Sequence, residues 1–216
     1  MFLATALTGQ QGDSSPGRLS RPILGTATGT DGSIAAQTRI FEAVSYLFFM
    51  PQRPFEPCIP TRGKKVPAGP DWIHEIKHDG YRLIVHRDGK RVRLFTRNGH
   101  DWTDRYPLIV EAALKNRSSS FVIDGEAVLL GVDGVSDFDG LHSRQHDNEV
   151  QLYAFDCLAL DGDDLRKLPL SMRKANLARL SARRPEGIFV GDFEQGEIGP
   201  DLFRKACEYC ARDAGA

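Results

Sequence analysis

The stretch His74-Glu75-Ile76-Lys77-His78-Asp79-Gly80-Tyr81-Arg82 contains two overlapping patterns that call for different folds. Read as H-E-x-x-H, it sets two histidines one helical turn apart around a zinc ion, with Glu75 as base. Read as K-x-D-G-x-R, it sets a nucleophilic lysine before a turn and an arginine. The zinc reading needs a third ligand and a helix long enough to hold the first two, and Gly80 stops this one almost at once. The lysine reading needs carboxylates and an aromatic side chain on later strands.

Both occur downstream. Asp124-Gly125-Glu126 sits inside the apolar run Phe121–Leu130, and period-two alternation puts Asp124 and Glu126 on one face with Val122 and Val128. Two acids in such a strand are costly to bury unless they are paired or bind a cation. Tyr153-Ala154-Phe155-Asp156 lies in a second run, Val150–Leu160, where alternation puts Phe155 on the face opposite Asp156. Asp156 itself reads as a hydrogen-bonding residue of the strand. These residues favour the lysine pattern.

Around this centre the chain alternates strand and helix signals. Trp72–Lys77, Tyr81–Arg87 and Lys90–Arg97 read as strands, and the turn dipeptides Asp79-Gly80 and Asp88-Gly89 imply consecutive antiparallel pairing. Helical spacing covers Tyr106–Lys115, and a second helix runs from Ser171, as N-cap, to Ala182. A strand at Ile188–Val190 and a helix near Pro200–Cys210 follow. With no βαβ rhythm, the pattern predicts an α+β fold of antiparallel sheets packed with flanking helices.

Composition narrows the function classes. The 216 residues are 41% hydrophobic and 26% charged, with net charge −1, which excludes a wholly disordered chain, a collagen and a coiled coil. Residues 1–48 contain three basic and three acidic residues and are rich in Gly, Ser, Thr and Ala, so they read as a weakly structured tail. The globular part begins near Phe49. The apolar run at 41–50 is too short to span a bilayer, though it could add a short helix or docking strand. Four cysteines (Cys58, Cys157, Cys207, Cys210) make no disulfide framework and fit a reducing cytosol. Cys207-Glu208-Tyr209-Cys210 is a lone C-x-x-C without further ligands, and no G-x-x-x-x-G-K-[ST] loop is present.

Taken in order, Lys77–Arg82, Thr96-Arg97-Asn98-Gly99, Asp124-Gly125-Glu126 and Tyr153-Ala154-Phe155-Asp156 resemble the motifs of ATP-dependent DNA ligases, most of all bacterial ligases of the D type. The resemblance runs from Phe49 to Cys207. It implies an adenylation domain in which Lys77 attacks the α-phosphate of ATP to form lysyl-AMP, assisted by Mg²⁺ or Mn²⁺. By the same resemblance Glu75 lies beside adenine, Phe155 stacks on it, and Arg82 and Arg97 face ribose or phosphates. Glu126 contacts ribose or metal, while Asp79 and Asp124 support the site. The implied partners are ATP, nicked double-stranded DNA and bacterial end-joining proteins, in the cytoplasm at the nucleoid. Alternation along Lys90–Arg97 places Arg91 and Arg93 with Phe95 and Arg97 on one face, as candidates for DNA phosphate contacts.

One departure qualifies the resemblance. A full ligase continues into an E-G-x-V-x-K motif, a K-x-K motif and an OB-fold domain. Glu186-Gly187-Ile188-Phe189-Val190 imitates the first of these, but Gly191-Asp192 follows where a lysine belongs. The expectation is a partial adenylation domain over 49–216, incomplete at its C-terminus and without the OB-fold domain, with impaired sealing. The alternatives are a non-catalytic nucleotide- or DNA-binding remnant, and a zinc hydrolase built on His74, Glu75 and His78.

Overall fold

A computed structural model describes residues 3–6, 55–58, 66, 69–70, 72–183, 186–196, 200–201 and 204–205. In chain order the strands are β1 (Leu3–Ala6), β2 (Ile73–Lys77), β3 (Tyr81–Asp88), β4 (Arg91–Thr96), β5 (Ser120–Val128), β6 (Gln151–Leu160), β7 (Asp163–Asp164), β8 (Ile188–Val190) and β9 (Phe193–Gln195). The helices are α1 (Pro107–Lys115), α2 (Phe138–Ser143) and α3 (Leu170–Leu180). The strands form two sheets. One has three strands in the order β1-β2-β9, and the other runs β4-β3-β5-β6-β7, with β8 added beside β6. All pairings are antiparallel except β6 with β8.

Alternation decides what the large sheet buries. Leu83 and Val85 of β3, Val92 and Leu94 of β4, Ile123 and Ala127 of β5, and Leu152 and Ala154 of β6 form one apolar face. Against it pack Ile109, Ala112 and Ala113 of α1 and Leu177 of α3. Pro107 opens α1, where its missing N–H leaves no bond unmade. The opposite face holds a smaller cluster of Ile84, Val122 and Leu158 with Phe55 and Phe95 against it. Further along that face the side chains turn polar, at Arg82, Asp124 and Glu126.

Several expectations need correction. The turn at Gly89, with φ of 58°, does close the β3–β4 hairpin. Asp79-Gly80 closes none: β2 pairs with β1 and β9, and β3 pairs with β4 and β5. A Cβ at position 80 would run into the carbonyl oxygen of Ala127, so glycine lets the chain cross closely from one sheet to the other. Leu3–Ala6, within the expected tail, supplies main-chain bonds to the edge of β2 and needs no core-forming composition to do so. Helix α3 starts at Leu170 with Pro169 at the cap position, so Ser171 lies inside the first turn. Helix α2 follows Asp137, whose Oδ1 accepts a hydrogen bond from the Gly140 N–H at 2.8 Å. Strands β7 and β9 have no counterpart in the sequence reading.

Residues 200–201 and 204–205 are helical, as the spacing near Pro200–Cys210 predicts. The rest of the expected tail, the run at 41–50, Cys207 and Cys210 lie outside the described residues. Among the described residues no helix is long and apolar enough to cross a membrane.

Candidate active site

Lys77 ends β2 with an exposed side chain, and the half-buried Asp79 follows in the crossing to β3. Across from it stands Glu126 of β5, in register with Arg82 of β3 and Tyr153 of β6. Burial pushes the Glu126 carboxyl up to about 7; the charges of Lys77 and Arg82 oppose that rise, while Asp124 and Asp79 add to it. Lysine and carboxylate therefore share one local field although they belong to different sheets.

Arg82 is the fixed cation of this field. Its Nε donates to Asp124 Oδ1 at 2.9 Å and its Nη2 to Oδ2 at 2.6 Å, while Nη1 donates to the Cys58 carbonyl at 2.6 Å. Burial works to lower the Arg82 pKa, but the bonds to Asp124 prevail and hold it raised. The Asp124 side chain is only 3% exposed, so this bidentate pairing answers a charge that water cannot reach.

The Arg82 guanidinium also lies over the Phe155 ring, 5.1 Å from its centroid. Strict alternation sets Phe155 opposite Asp156, but β6 is irregular here. Asp124 pairs with Asp156 and Gly125 with Ala154, which leaves Phe155 as an extra residue. Such a bulge re-aims side chains, and this one delivers Phe155 to the Arg82–Asp124 pair with Asp156 still beside Asp124.

A second layer of ion pairs comes from α3. Arg173 Nε donates to Asp156 Oδ1 at 2.9 Å and its Nη2 to Oδ2 at 3.1 Å. Lys174, whose side chain is 2% exposed, pairs with Glu75 of β2. Burial raises the Glu75 pKa, and Lys174 acts against it. The sequence reading passes over Arg173 and Lys174 and gives Asp156 a lesser role. One signal was legible: a lysine in the stripe Leu170, Lys174, Leu177, where helical spacing calls for an apolar residue.

The remaining candidates are placed as follows. Arg97 is exposed in the turn beyond β4, and among the described residues no ion pair joins it to Asp124 or Glu126. Phe95 packs into the small cluster on the face that alternation assigns, Arg91 is exposed, and Arg93 pairs with Asp101.

The zinc reading fails on geometry. His74 lies in a strand, and four residues of extended chain span about 13 Å, too far for His74 and His78 to share one ion. His74 is buried, with Nε2 3.1 Å from the Gly196 carbonyl, while the His78 ring lies 4.4 Å from that of Tyr153. Among the described residues no group of three or more His, Cys, Asp or Glu side chains could hold a metal ion.

Comparison with known proteins points the same way. A family model described as "ATP dependent DNA ligase domain" matches residues 61–193. The multifunctional non-homologous end joining protein LigD of Pseudomonas aeruginosa is 36% identical over 145 residues, covering 66% of this chain and 17% of that protein. A probable DNA ligase of Streptomyces coelicolor is 42% identical over 117 residues, covering 49% of this chain and 23% of that one. The solved ligase domain of M. tuberculosis LigD superposes with a TM-score of 0.61 at 32% identity, over 71% of this chain and 50% of that domain. The chain thus spans at most half the length of each of these relatives.

Proposed function

We propose, for a chain that belongs to the ATP-dependent DNA ligase domain family, that Lys77 is the nucleophile that takes AMP from ATP. The Lys77 amine attacks the α-phosphorus, a nitrogen–phosphorus bond forms, the bond to pyrophosphate breaks and the amine loses a proton. A DNA 5′-phosphate then displaces the lysine and carries AMP as its leaving group, and an adjoining 3′-hydroxyl expels it to seal the nick. An amine with a reference pKa of about 10.4 is mostly protonated at neutral pH and needs help to react. What supports the reading is that Gly80, three residues after Lys77 in the K-x-D-G-x-R pattern, lies against Ala127 and the side chain of Glu126, on the strand that also bears Asp124, within a match to the ligase-domain family over residues 61–193.

The roles follow from what each side chain is free to do. Arg82 has its nitrogens engaged by Asp124 and Cys58, so it serves as a standing positive charge toward ribose or phosphate rather than a hand that closes on them. Phe155 is the platform for adenine. Glu75, held by Lys174, shapes the adenine edge, and Arg97 reaches for ribose or phosphate from its exposed turn. Asp79 and Asp124 support the Lys77 turn and Arg82 respectively.

Glu126 is suited to a divalent cation: it is a hard oxygen donor whose charge is under strain from burial and from neighbouring acids. A single protein carboxylate is enough for Mg²⁺ or Mn²⁺, since nucleotide phosphates supply the remaining oxygens. When bound, the cation would neutralise charge on the α-phosphate and pyrophosphate.

We extend the proposal to nicked double-stranded DNA as substrate, with Arg91 and Arg93 toward its phosphates, to end-joining proteins as partners, and to the nucleoid as setting. Relatives named as DNA ligases and end-joining proteins support the classes of substrate and partner.

The test is incubation of the chain with α-labelled ATP and Mg²⁺. Label that stays with the protein through denaturation, is lost in acid and kept in alkali, and is absent from Lys77→Ala bears out the lysyl-AMP step. Nucleotide binding without covalent label refutes it. A labelled nicked duplex as second substrate tests transfer and sealing.

A further inference from the structure

Helix α3 sets two consecutive charged residues against two different sheets. Lys174 ends on Glu75 of β2, and its ammonium lies 5.1 Å from the centroid of the Phe193 ring in β9, so it grips two strands of the three-stranded sheet. Arg173 ends on Asp156 of β6 in the six-stranded sheet, and its Nη1 also donates to the Leu168 carbonyl at 2.8 Å. Consecutive helical residues diverge by about 100°, so one helix reaches both sheets without bending.

The burial of Lys174 argues for a specific task. It lies in the stripe by which Leu170 and Leu177 fasten α3, where a charge is tolerated only if it is answered. A leucine or methionine would serve packing alone. Meanwhile the two sheets share no ladder among the described residues, and the chain joins them directly through two short links, His78-Asp79-Gly80 between β2 and β3 and Gly191-Asp192 between β8 and β9. The first link sets how far Lys77 can stand from Glu126, but two short glycine-containing links can still flex. Two ion pairs from a rigid helix, one on each sheet, remove that freedom.

We propose that Arg173 and Lys174 are positioning residues, a two-pronged brace that holds the sheet bearing Lys77 against the sheet bearing Glu126, Asp124 and Phe155. The proposal rests on the reading of Lys77 as nucleophile. The brace acts on the rate of the covalent step rather than on nucleotide affinity, because the groups assigned to grip ATP lie mostly on the six-stranded sheet, whereas the attacking amine lies on the other. A misplacement of about 1 Å can cost on the order of a hundredfold in such a step.

The experiment compares the wild-type chain, Lys174→Met, Lys174→Arg and Arg173→Met, each first shown to be folded by circular dichroism and thermal melting. Single-turnover formation of lysyl-AMP is followed across ATP concentrations. The expected result for Lys174→Met and Arg173→Met is at least a tenfold fall in the limiting rate, with half-saturating ATP changed less than threefold in Arg173→Met and less than the rate in Lys174→Met, where Glu75 is freed, and recovery of most of the rate in Lys174→Arg. Folded variants that react at the wild-type rate, lose only ATP affinity, or are not rescued by arginine overturn the brace.

Hydrogen exchange of the amides in Ile73–Lys77 and Ser120–Val128 gives a readout independent of ATP. Faster exchange confined to Ile73–Lys77 in Lys174→Met supports the brace, and unchanged or uniformly faster exchange overturns it. If wild type forms no lysyl-AMP, the proposed nucleophile falls and the exchange data alone decide whether α3 braces the sheets.

Discussion

The six-stranded sheet carries Arg82, Asp124, Glu126 and Phe155 on strands drawn from residues 81–160, set over a continuous core that includes Leu83, Val85, Leu94, Ile123 and Leu152. The three-stranded sheet carries Glu75 and Lys77 on a strand whose neighbours come from residues 3–6 and 193–195, far away in the chain. The first is held by apolar burial. Among the described residues the second is held by main-chain ladders, the buried Ile73 and His74, and the ion pair to Lys174. The six-stranded half of the candidate site thus rests on a continuous apolar core, whereas the strand bearing Lys77 depends more on polar contacts made over long sequence distances. Substitutions in the two sheets should fail in different ways.

The largest effect is expected from Lys77→Ala, which should cut covalent AMP label at least about a thousandfold, as removal of a nucleophile does, and leave the melting temperature near that of wild type. The exposed position of Lys77 is the reason stability should be spared. A fall in melting temperature comparable to that of a core substitution would break the contrast between the sheets.

Asp124→Ala comes next. It strands the Arg82 guanidinium in a buried site and should cost about 3–5 kcal/mol, read from urea unfolding. Arg82→Met with Asp124→Leu removes both charges and should cost less than the single change. Leu83→Ala, in the apolar core of the same strand as Arg82, should cost about 2–5 kcal/mol without altering the pH dependence of stability. The smallest of these effects belongs to Glu126→Gln. With its pKa raised to about 7 from an ordinary 4.5, folded Glu126 keeps a proton that the unfolded chain has already released. Wild-type stability from this group therefore falls as pH rises from 4.5 to 7, and the full penalty stands above 7. Glu126→Gln should be more stable than wild type by about 1–3 kcal/mol at pH 8, with the gain fading towards pH 4.5, measured by urea unfolding across pH. The same variant should lose adenylation, so a gain in stability with a loss of activity would sharpen the assignment.

Much of the large sheet was legible in the sequence. Strands β3, β4, β5 and β6 lie within two residues of where alternation of Val, Ile and Leu places them, and α1 starts at the proline that its spacing allows. Asp124 and Glu126 do share a face, because side-chain direction in a regular strand is local. Phe155 escaped the same rule: the bulge arises from how β6 pairs with β5, and neither strand records it alone. Asp79-Gly80 misled in a different way. The dipeptide has the chemistry of a hairpin turn, but at Gly80 the small side chain answers a close approach to Ala127.

What the residue order determined by itself was periodic and short-range: the apolar faces, the Gly89 hairpin, the family resemblance and the K-x-D-G-x-R pattern that singles out Lys77 as the proposed nucleophile. Tertiary structure alone decided that Lys77 belongs to a separate sheet, that Phe155 turns toward Arg82, and that Arg173 and Lys174 reach into the site. The physical reason is that backbone ladders between distant segments are chosen by the free energy of the whole assembly. The amino acids of β1, β2 and β9 carry no local mark of which strand will lie beside them.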